Sequence, residues 1–337
     1  MSSLSIIEVD EKSYINFCKE NNISLPIEQS VEWESFSLSR GHSLWKRLVI
    51  TNDSFPIAVT SLYEYHAGGF KYLWARNSPV FSDNSKSYEK EVCLALRDFV
   101  RKHDSKVIFL RLNITENFTF TRPVVRIIPY DKTVILNIQG SDEDILSRMK
   151  PRGRRDVRKG LRVSGMECFE ESKTILGNFD ELYEIMVETA NRDNFVPNDA
   201  DFYKNMISTL GEKCKVFVGR IDGQAVCWSI TTIHDGLAVQ YYAATSKIAR
   251  SKNCYDQLIY FCCCYLRDMG IANFDLMAIG SDFSPKLLGL NEFKTKFSKE
   301  IVDVAPSRDI VCNSRLYFLF SVAYKTKQLI LKLISRR

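Results

Sequence analysis

The feature that most limits how this 337-residue chain can fold is an internal repeat. Residues 46–51 read as a strand, 52–55 are turn-forming, and 57–63 and 70–75 read as two more strands. Helical spacing follows over 88–102, with Val92, Leu96 and Phe99 on one face, and 107–112 closes the series with a strand. The second half repeats the order: strands at 215–221, 225–233 and 237–244, a helix at 256–269, and a strand at 274–279. Asp222-Gly223 supplies a hairpin turn between the first two of these strands. Corresponding elements keep an offset of 167–169 residues. A helix precedes each series, at 10–21 and 179–190. The order predicts two copies of one α/β unit, each of three antiparallel strands, a helix and a final strand.

The length suits two domains, and a composition 45% hydrophobic and 12% aromatic can fill a core in each. The ten cysteines include no C-x-x-C pair, and Cys262, Cys263 and Cys264 are adjacent in an apolar run. Adjacent helical residues point in different directions, so these three cannot converge on one ion, and no metal site is expected. The first residues carry acids where a signal peptide needs cations. No run approaches the roughly 18 apolar residues of a membrane span. The expectation is a cytoplasmic protein with reduced, buried thiols.

Charge is segregated along the chain. Residues 148–162, RMKPRGRRDVRKGLR, hold eight cations against one acid, Asp156, a local charge of +7 in a chain of net charge +5. Residues 313–337 add six cations and no acid. Without these two blocks the rest stands at −8. Ser141 reads as a helix N-cap, with Asp142, Glu143 and Asp144 in the first turn. Leu146, Met149, Gly153, Val157 and Leu161 form a stripe that would bury, and Pro151 kinks or restarts the helix. Arg148, Arg152, Arg155, Lys159 and Arg162 step along another side. Two readings stay open for this face, a solvated surface or a contact with phosphates of RNA, a lipid carrier or a nucleotide.

The order of elements resembles the acetyltransferase-like GNAT fold, present twice. It implies an α/β (α+β) protein of two tandem GNAT-like units, with mixed, largely antiparallel sheets flanked by helices. The boundaries expected are 1–133 for the first unit, completed by a C-terminal helix at 313–337, and 134–312 for the second, which carries the basic helix at 142–162. Members of that fold bind the pyrophosphate of acyl-CoA with a Gly-rich loop before the helix. The matching segments here, 82–87 and 247–253, contain no glycine.

Several motifs are similar to those of the Fem family (FemABX) of tRNA-dependent peptidoglycan aminoacyltransferases. They are Gln29-Ser30-Val31-Glu32-Trp33, the basic spacing of Arg154, Arg155, Arg158 and Lys159 ahead of a strand at Val163, Tyr241-Tyr242-Ala243-Ala244, and Glu292-Phe293-Lys294-Thr295-Lys296-Phe297. The resemblance implies attack of an amine on the ester that joins an amino acid to tRNA, without a resident cofactor. Lys294 would face the developing charge or the tRNA 3′ end, with Phe293 positioning it. Tyr242 and Tyr241 would line the acceptor cleft, and Trp33, Arg40 and Asn113 would contact substrate. Arg148, Arg152, Arg154, Arg155, Arg158, Lys159 and Lys296 would meet phosphates. The four histidines, at 42, 66, 103 and 234, suit chemistry without a histidine base.

The chain departs from the family at Ser37, where compact members place a phosphate-holding Lys, and at Asn198, where they place an Arg. Their R-x-D-P reads Arg111-Leu112-Asn113-Ile114 here, and a glycine pair is reduced to Ala278-Ile279-Gly280. These changes count against a UDP-linked acceptor and favour a lipid-linked one or another amine. The implied partners are aminoacyl-tRNA and a peptidoglycan precursor, and the chain is expected to act as a monomer. The apolar, basic segment 314–334 reads either as a helix packed on the first unit or as one lying on an anionic membrane surface. Two alternatives remain: an acyl-CoA-dependent N-acyltransferase acting on a sugar or lipid amine, and a nonenzymatic binder of RNA or anionic membrane. Residues 293–297 have a second reading too, as an edge strand with Phe inside and Lys outside.

Overall fold

The structure, a computed structural model, describes residues 4–125 and 127–334. In chain order the elements are β1 (Leu4–Val9), α1 (Glu11–Glu20), α2 (Val31–Ser39), β2 (Leu44–Asn52), β3 (Phe55–Ala67), β4 (Phe70–Trp74), β5 (Val80–Phe81), α3 (Glu89–His103), β6 (Val107–Asn113) and β7 (Thr121–Pro123). There follow β8 (Lys132–Asn137), α4 (Asp142–Arg148), α5 (Pro151–Val163), β9 (Glu167–Glu170), α6 (Phe179–Asp193), α7 (Ala200–Leu210), β10 (Cys214–Ile221), β11 (Gln224–His234) and β12 (Leu237–Thr245). The last are α8 (Lys247–Ser251), α9 (Cys254–Asp268), β13 (Asn273–Ala278), α10 (Asn291–Lys294), β14 (Val302–Asp303), β15 (Ser307–Val311) and α11 (Ser314–Ile334).

The chain divides into two compact units, Met1–Pro129 with Ala305–Arg337, and Tyr130–Val304. In the first unit the strand order is β1-β2-β3-β4-β6-β15-β7, with β5 on β3; in the second it is β14-β8-β13-β12-β11-β10-β9. The repeat read from the sequence is present in both. Three antiparallel strands lead through a helix to a strand parallel to the third, β4 with β6 and β12 with β13. The register repeats as well, with Lys71 opposite Val107 and Leu237 opposite Asn273.

The turns explain why the hairpins match. Each has two consecutive residues at positive φ, Asp53-Ser54 and Gly68-Gly69 in the first unit, Asp222-Gly223 and Asp235-Gly236 in the second. That geometry follows the right-handed twist of the flanking strands and draws Asp and Gly to these positions. Each crossover helix buries one face. α3 contributes Val92, Cys93, Leu96 and Val100, while α9 contributes Leu258, Ile259, Cys262, Cys263 and Leu266. Burial pushes the Cys264 thiol up to about 11. Among the described residues no group of His, Cys, Asp and Glu is arranged to hold a metal ion.

The unit boundaries differ from the sequence expectation at two places: residues 130–133, expected in the first unit, fall in the second, whose strand β8 begins at Lys132, and the return to the first unit comes before residue 313. β15 pairs antiparallel with β6 and β7, so the first unit takes back the chain from Ala305, a strand as well as the terminal helix. The pairing is fixed by charge. Arg111 of β6 and Asp309 of β15 are both fully buried and form a two-pronged bond, at 2.7 Å from Nε and 3.0 Å from Nη2. Tyr317 Oη also donates to Asp309.

Candidate active site

The second unit opens where its parallel ladder stops. β12 and β13 pair only over Leu237–Val239 and Asn273–Asp275. Beyond that point both strands are irregular. Ile230 pairs with Tyr242 and Thr231 with Gln240, which leaves Tyr241 as an extra residue in β12. A bulge of this kind turns the following side chains to the other face. In β13 the pairing with β8 is interrupted between Asp275 and Ala278, and Met277 sits at φ +59°. A non-glycine residue in that region is held there by its surroundings. Here the Asp275 carboxylate accepts from Met277 N–H at 2.7 Å and also from Thr133 Oγ1.

Lys294 closes this irregular end. Its amine donates to Ala278 O at 2.9 Å and to Met277 O at 3.3 Å. Burial strips water from the amine and lowers its pKa to about 8, although Asp275 pulls the other way. A desolvated lysine near neutrality is a recurrent property of reactive sites. The segment bearing it is pinned at its start. Asn291 Nδ2 donates to Gly280 O, and Gly280 N–H donates to Asn291 Oδ1. Gly280 must be glycine, since a Cβ there would lie 2.2 Å from Leu288 N.

The same segment is pinned more firmly at its end. Lys296 is buried between two acids, Asp156 of α5 at 3.2 Å and Asp256 of α9. Burial raises the pKa of Asp256 against the pull of Lys296. Burial acts in the same sense on Asp156, but Arg155 and Lys296 outweigh it and hold that carboxyl low. Lys150 N–H donates to Lys296 O at 3.0 Å. Phe297 is buried, and Phe293 packs on Tyr255 and Phe297 with ring centroids 5.7 and 5.1 Å apart.

The edge-strand reading of 293–297 is therefore corrected: the segment is a helical turn, with Lys296 inside rather than outside. Lys296 also leaves the phosphate-contacting set, because both its charge and its access are taken up by the two aspartates.

The basic run divides at Pro151. α4 is capped by Ser141 with the reciprocal bond from Asp144, and Pro151 opens α5 at its first position. Met149, Gly153, Val157 and Gly160 bury; Leu161, expected in this stripe, is exposed. The reason is the two glycines. A Cβ at Gly153 would stand 2.2 Å from Lys296 O, and one at Gly160 would stand 2.7 Å from Asn253 O. The helix backbone thus lies directly on the Lys294 segment and on the start of α9. Val163, expected to begin a strand, is the last residue of α5, and the strand starts at Glu167.

Arg152, Arg155, Arg158, Lys159 and Arg162 are exposed, while Arg148 and Arg154 are half-buried. Arg148 and Arg154 donate to backbone carbonyls of Gln139 and Met149. Arg152 pairs with Glu292, and Arg158 with Glu143. Among the described residues Lys159 and Arg162 carry no ion pair. The exposed pairs hold their partners weakly, so this face stays available to a polyanion.

The other candidates fall elsewhere. Tyr242 points to the α7 face, edge-on to Phe202 and Tyr203 at 5.7 and 5.1 Å, whereas Phe293 lies on the α9 face with Tyr255. The bulge at Tyr241 separates the two sides, with Tyr241 itself half-buried. In the first unit, Trp33 is a core residue and not a substrate contact. Its motif is structural: Gln29 accepts from Ser61 N–H and donates to Arg76 O, and Ser30 caps α2 by accepting from Trp33 N–H. Asn113 is engaged in the fold, bonded to Ala305 O and Asn77 N–H, and Arg40 is exposed at the end of α2. A pocket of about 340 Å³ beside residues 82–88 holds none of the candidates.

Asp156, Asp256, Asp275 and Asn291 are not among the residues that the motifs mark. A lone acid in a run of eight cations was the one signal that could have marked Asp156.

The FemAB family model matches residues 119–258, a segment that includes α5 and β12 but ends before Lys294. No curated protein matches the chain. Among solved structures, FemX is similar with a TM-score of 0.74 at 14% identity, over 94% of this chain and 99% of that one. A tandem GNAT protein from the clavulanic acid biosynthesis pathway gives 0.55 at 9% identity, over 92% and 99%. The L-PGS of Bacillus licheniformis gives 0.53 at 14% identity, over 94% and 97%. Residues 119–258 are thus similar to the FemAB family, and the chain carries a tandem GNAT-like fold.

Proposed function

We propose that the protein is an acyltransferase that forms an amide bond by moving an amino acid from aminoacyl-tRNA to an amine of a cell-wall precursor. The observation that carries this reading is the placement of Lys294. Its partly desolvated amine sits on the bulged end of β13, on a segment held by the basic helix α5. The acceptor amine attacks the ester carbonyl, a C–N bond forms, and the ester C–O bond breaks. The ribose hydroxyl leaves with the proton that the amine gives up. The ester is already activated, so the protein has to position the reactants and stabilise the oxyanion. In its cationic form Lys294 supplies that charge, and the exposed cations of α5 supply contacts to the phosphates of the donor. No resident cofactor is required, and the reaction belongs in the cytoplasm, where charged tRNA is found. The departures at Ser37 and Asn198 favour a lipid-linked acceptor over a UDP-linked one.

The packing of α5 weighs against acyl-CoA as donor. Gly160 lies against Asn253, the N-cap residue of α9, and Lys252 donates to Ser164 O. The helix start that would bind a pyrophosphate is thereby covered. Offering the purified protein charged tRNA and acetyl-CoA, each labelled in the acyl group, with lipid-linked and UDP-linked precursors as acceptors, separates the readings. Label from charged tRNA, lost on RNase treatment, is expected. Label from acetyl-CoA alone overturns the proposal.

A further inference from the structure

Helix α11 has two apolar faces, and the fold uses only one. On the inner side Phe320 is buried, with its ring 5.4 Å from Phe109 and 5.7 Å from Phe70, and Tyr317 stands edge-on to Phe109 at 5.4 Å. This is the packing against the first unit that one reading of the sequence expected. On the outer side Phe318 is 67% exposed, Leu319 54%, Val322 45% and Ile330 51%. Arg315, Phe318, Val322 and Lys325 recur at intervals of three and four residues, so they share one line along the helix. Arg315, Lys325 and Lys327 are exposed, and among the described residues none of them forms an ion pair. Residues 313–337 contain six cations and no acid. No helix among the described residues is long and apolar enough to cross a membrane.

We propose that the outer face of α11 binds the surface of an anionic lipid bilayer. Exposed Phe, Leu and Val side chains beside unpaired cations match a layer whose headgroups are negative and whose acyl region is apolar. A second copy of the chain is a poor partner for this face. A two-fold contact would set cation against cation, because every charge on the helix is positive. The helix lies on the bilayer rather than through it, with its inner face still docked on the sheet of the first unit.

The test uses the full chain, phosphatidylglycerol-containing vesicles and phosphatidylcholine vesicles, in a sedimentation assay at low and high salt. Binding to the anionic vesicles alone is expected, and it weakens with salt. Phe318→Ser should cut partitioning on the order of tenfold or more, the effect of withdrawing one large apolar side chain. The double variant Arg315→Gln, Lys325→Gln should cut it roughly thirtyfold. Both substitutions are at exposed positions, and unchanged thermal melting shows that the fold persists. Three results overturn the proposal. They are no binding to anionic vesicles, binding unaffected by both variants, or a dimer in light scattering that Phe318→Ser abolishes.

Discussion

A lysine amine that has given up water to lie against two carbonyl oxygens responds to pH in a defined direction. The folded-state pKa of Lys294, about 8, lies below the ordinary lysine value of 10.5. Between these values the unfolded chain binds the proton and the folded chain does not, so this group makes stability rise with pH across the window. Below pH 8 both states are protonated, and the cost of burying the charge is fully present. The stability of wild type relative to Lys294→Met should therefore increase by roughly 2 kcal/mol between pH 8 and pH 10.5, read from urea unfolding at each pH. Activity should move the opposite way. The cationic amine is the form that faces an oxyanion, so turnover should decline as pH rises through 8. At this scale the sequence was an uneven guide. A motif singles out Lys294 and Phe293, but Lys296, two residues on, has the same chemistry and lies inside. Residue type and spacing do not tell an amine that faces solvent from one enclosed by two carboxylates brought in from α5 and α9.

Helix α5 joins two features that the sequence kept apart, the basic run and the Lys294 segment. Its glycines allow the contact. Gly153→Ala would press a methyl group on the backbone oxygen of Lys296, an atom that cannot swing away. It should cost about 1–3 kcal/mol, whereas Lys159→Ala on the exposed side should stay within about 0.5 kcal/mol, both measured by urea unfolding. The two substitutions should exchange rank when tRNA binding is measured. Lys159→Ala, and likewise Arg162→Ala, should each reduce the slope of log affinity against log salt by about 1. The cap at Ser141 and the restart at Pro151 were legible because they rest on local backbone chemistry. The exposure of Leu161 was not, because two glycines rotate the contact line toward Gly160, and a stripe read from apolar residues passes over glycine.

Across the whole molecule, the duplicated strand order was the most legible property. Turn chemistry and periodicity are local, and they recur at a constant offset. The closure of the first sheet was not legible. β15 is five residues long and reaches β6 across nearly two hundred residues of chain, through a bond between Arg111 and Asp309. Asp309→Ala leaves a guanidinium buried without its partner and should destabilise the protein by about 3–5 kcal/mol in urea unfolding. The central claim concerns the second unit, that its bulged β13 end with Lys294 is where an amino acid leaves tRNA. Its most direct test is the rate of label transfer from charged tRNA to a lipid-linked muropeptide precursor, for wild type and Lys294→Ala. The account predicts RNase-sensitive transfer whose kcat falls on the order of a hundredfold in the variant, with KM for charged tRNA little changed. Transfer at the wild-type rate by Lys294→Ala would contradict it.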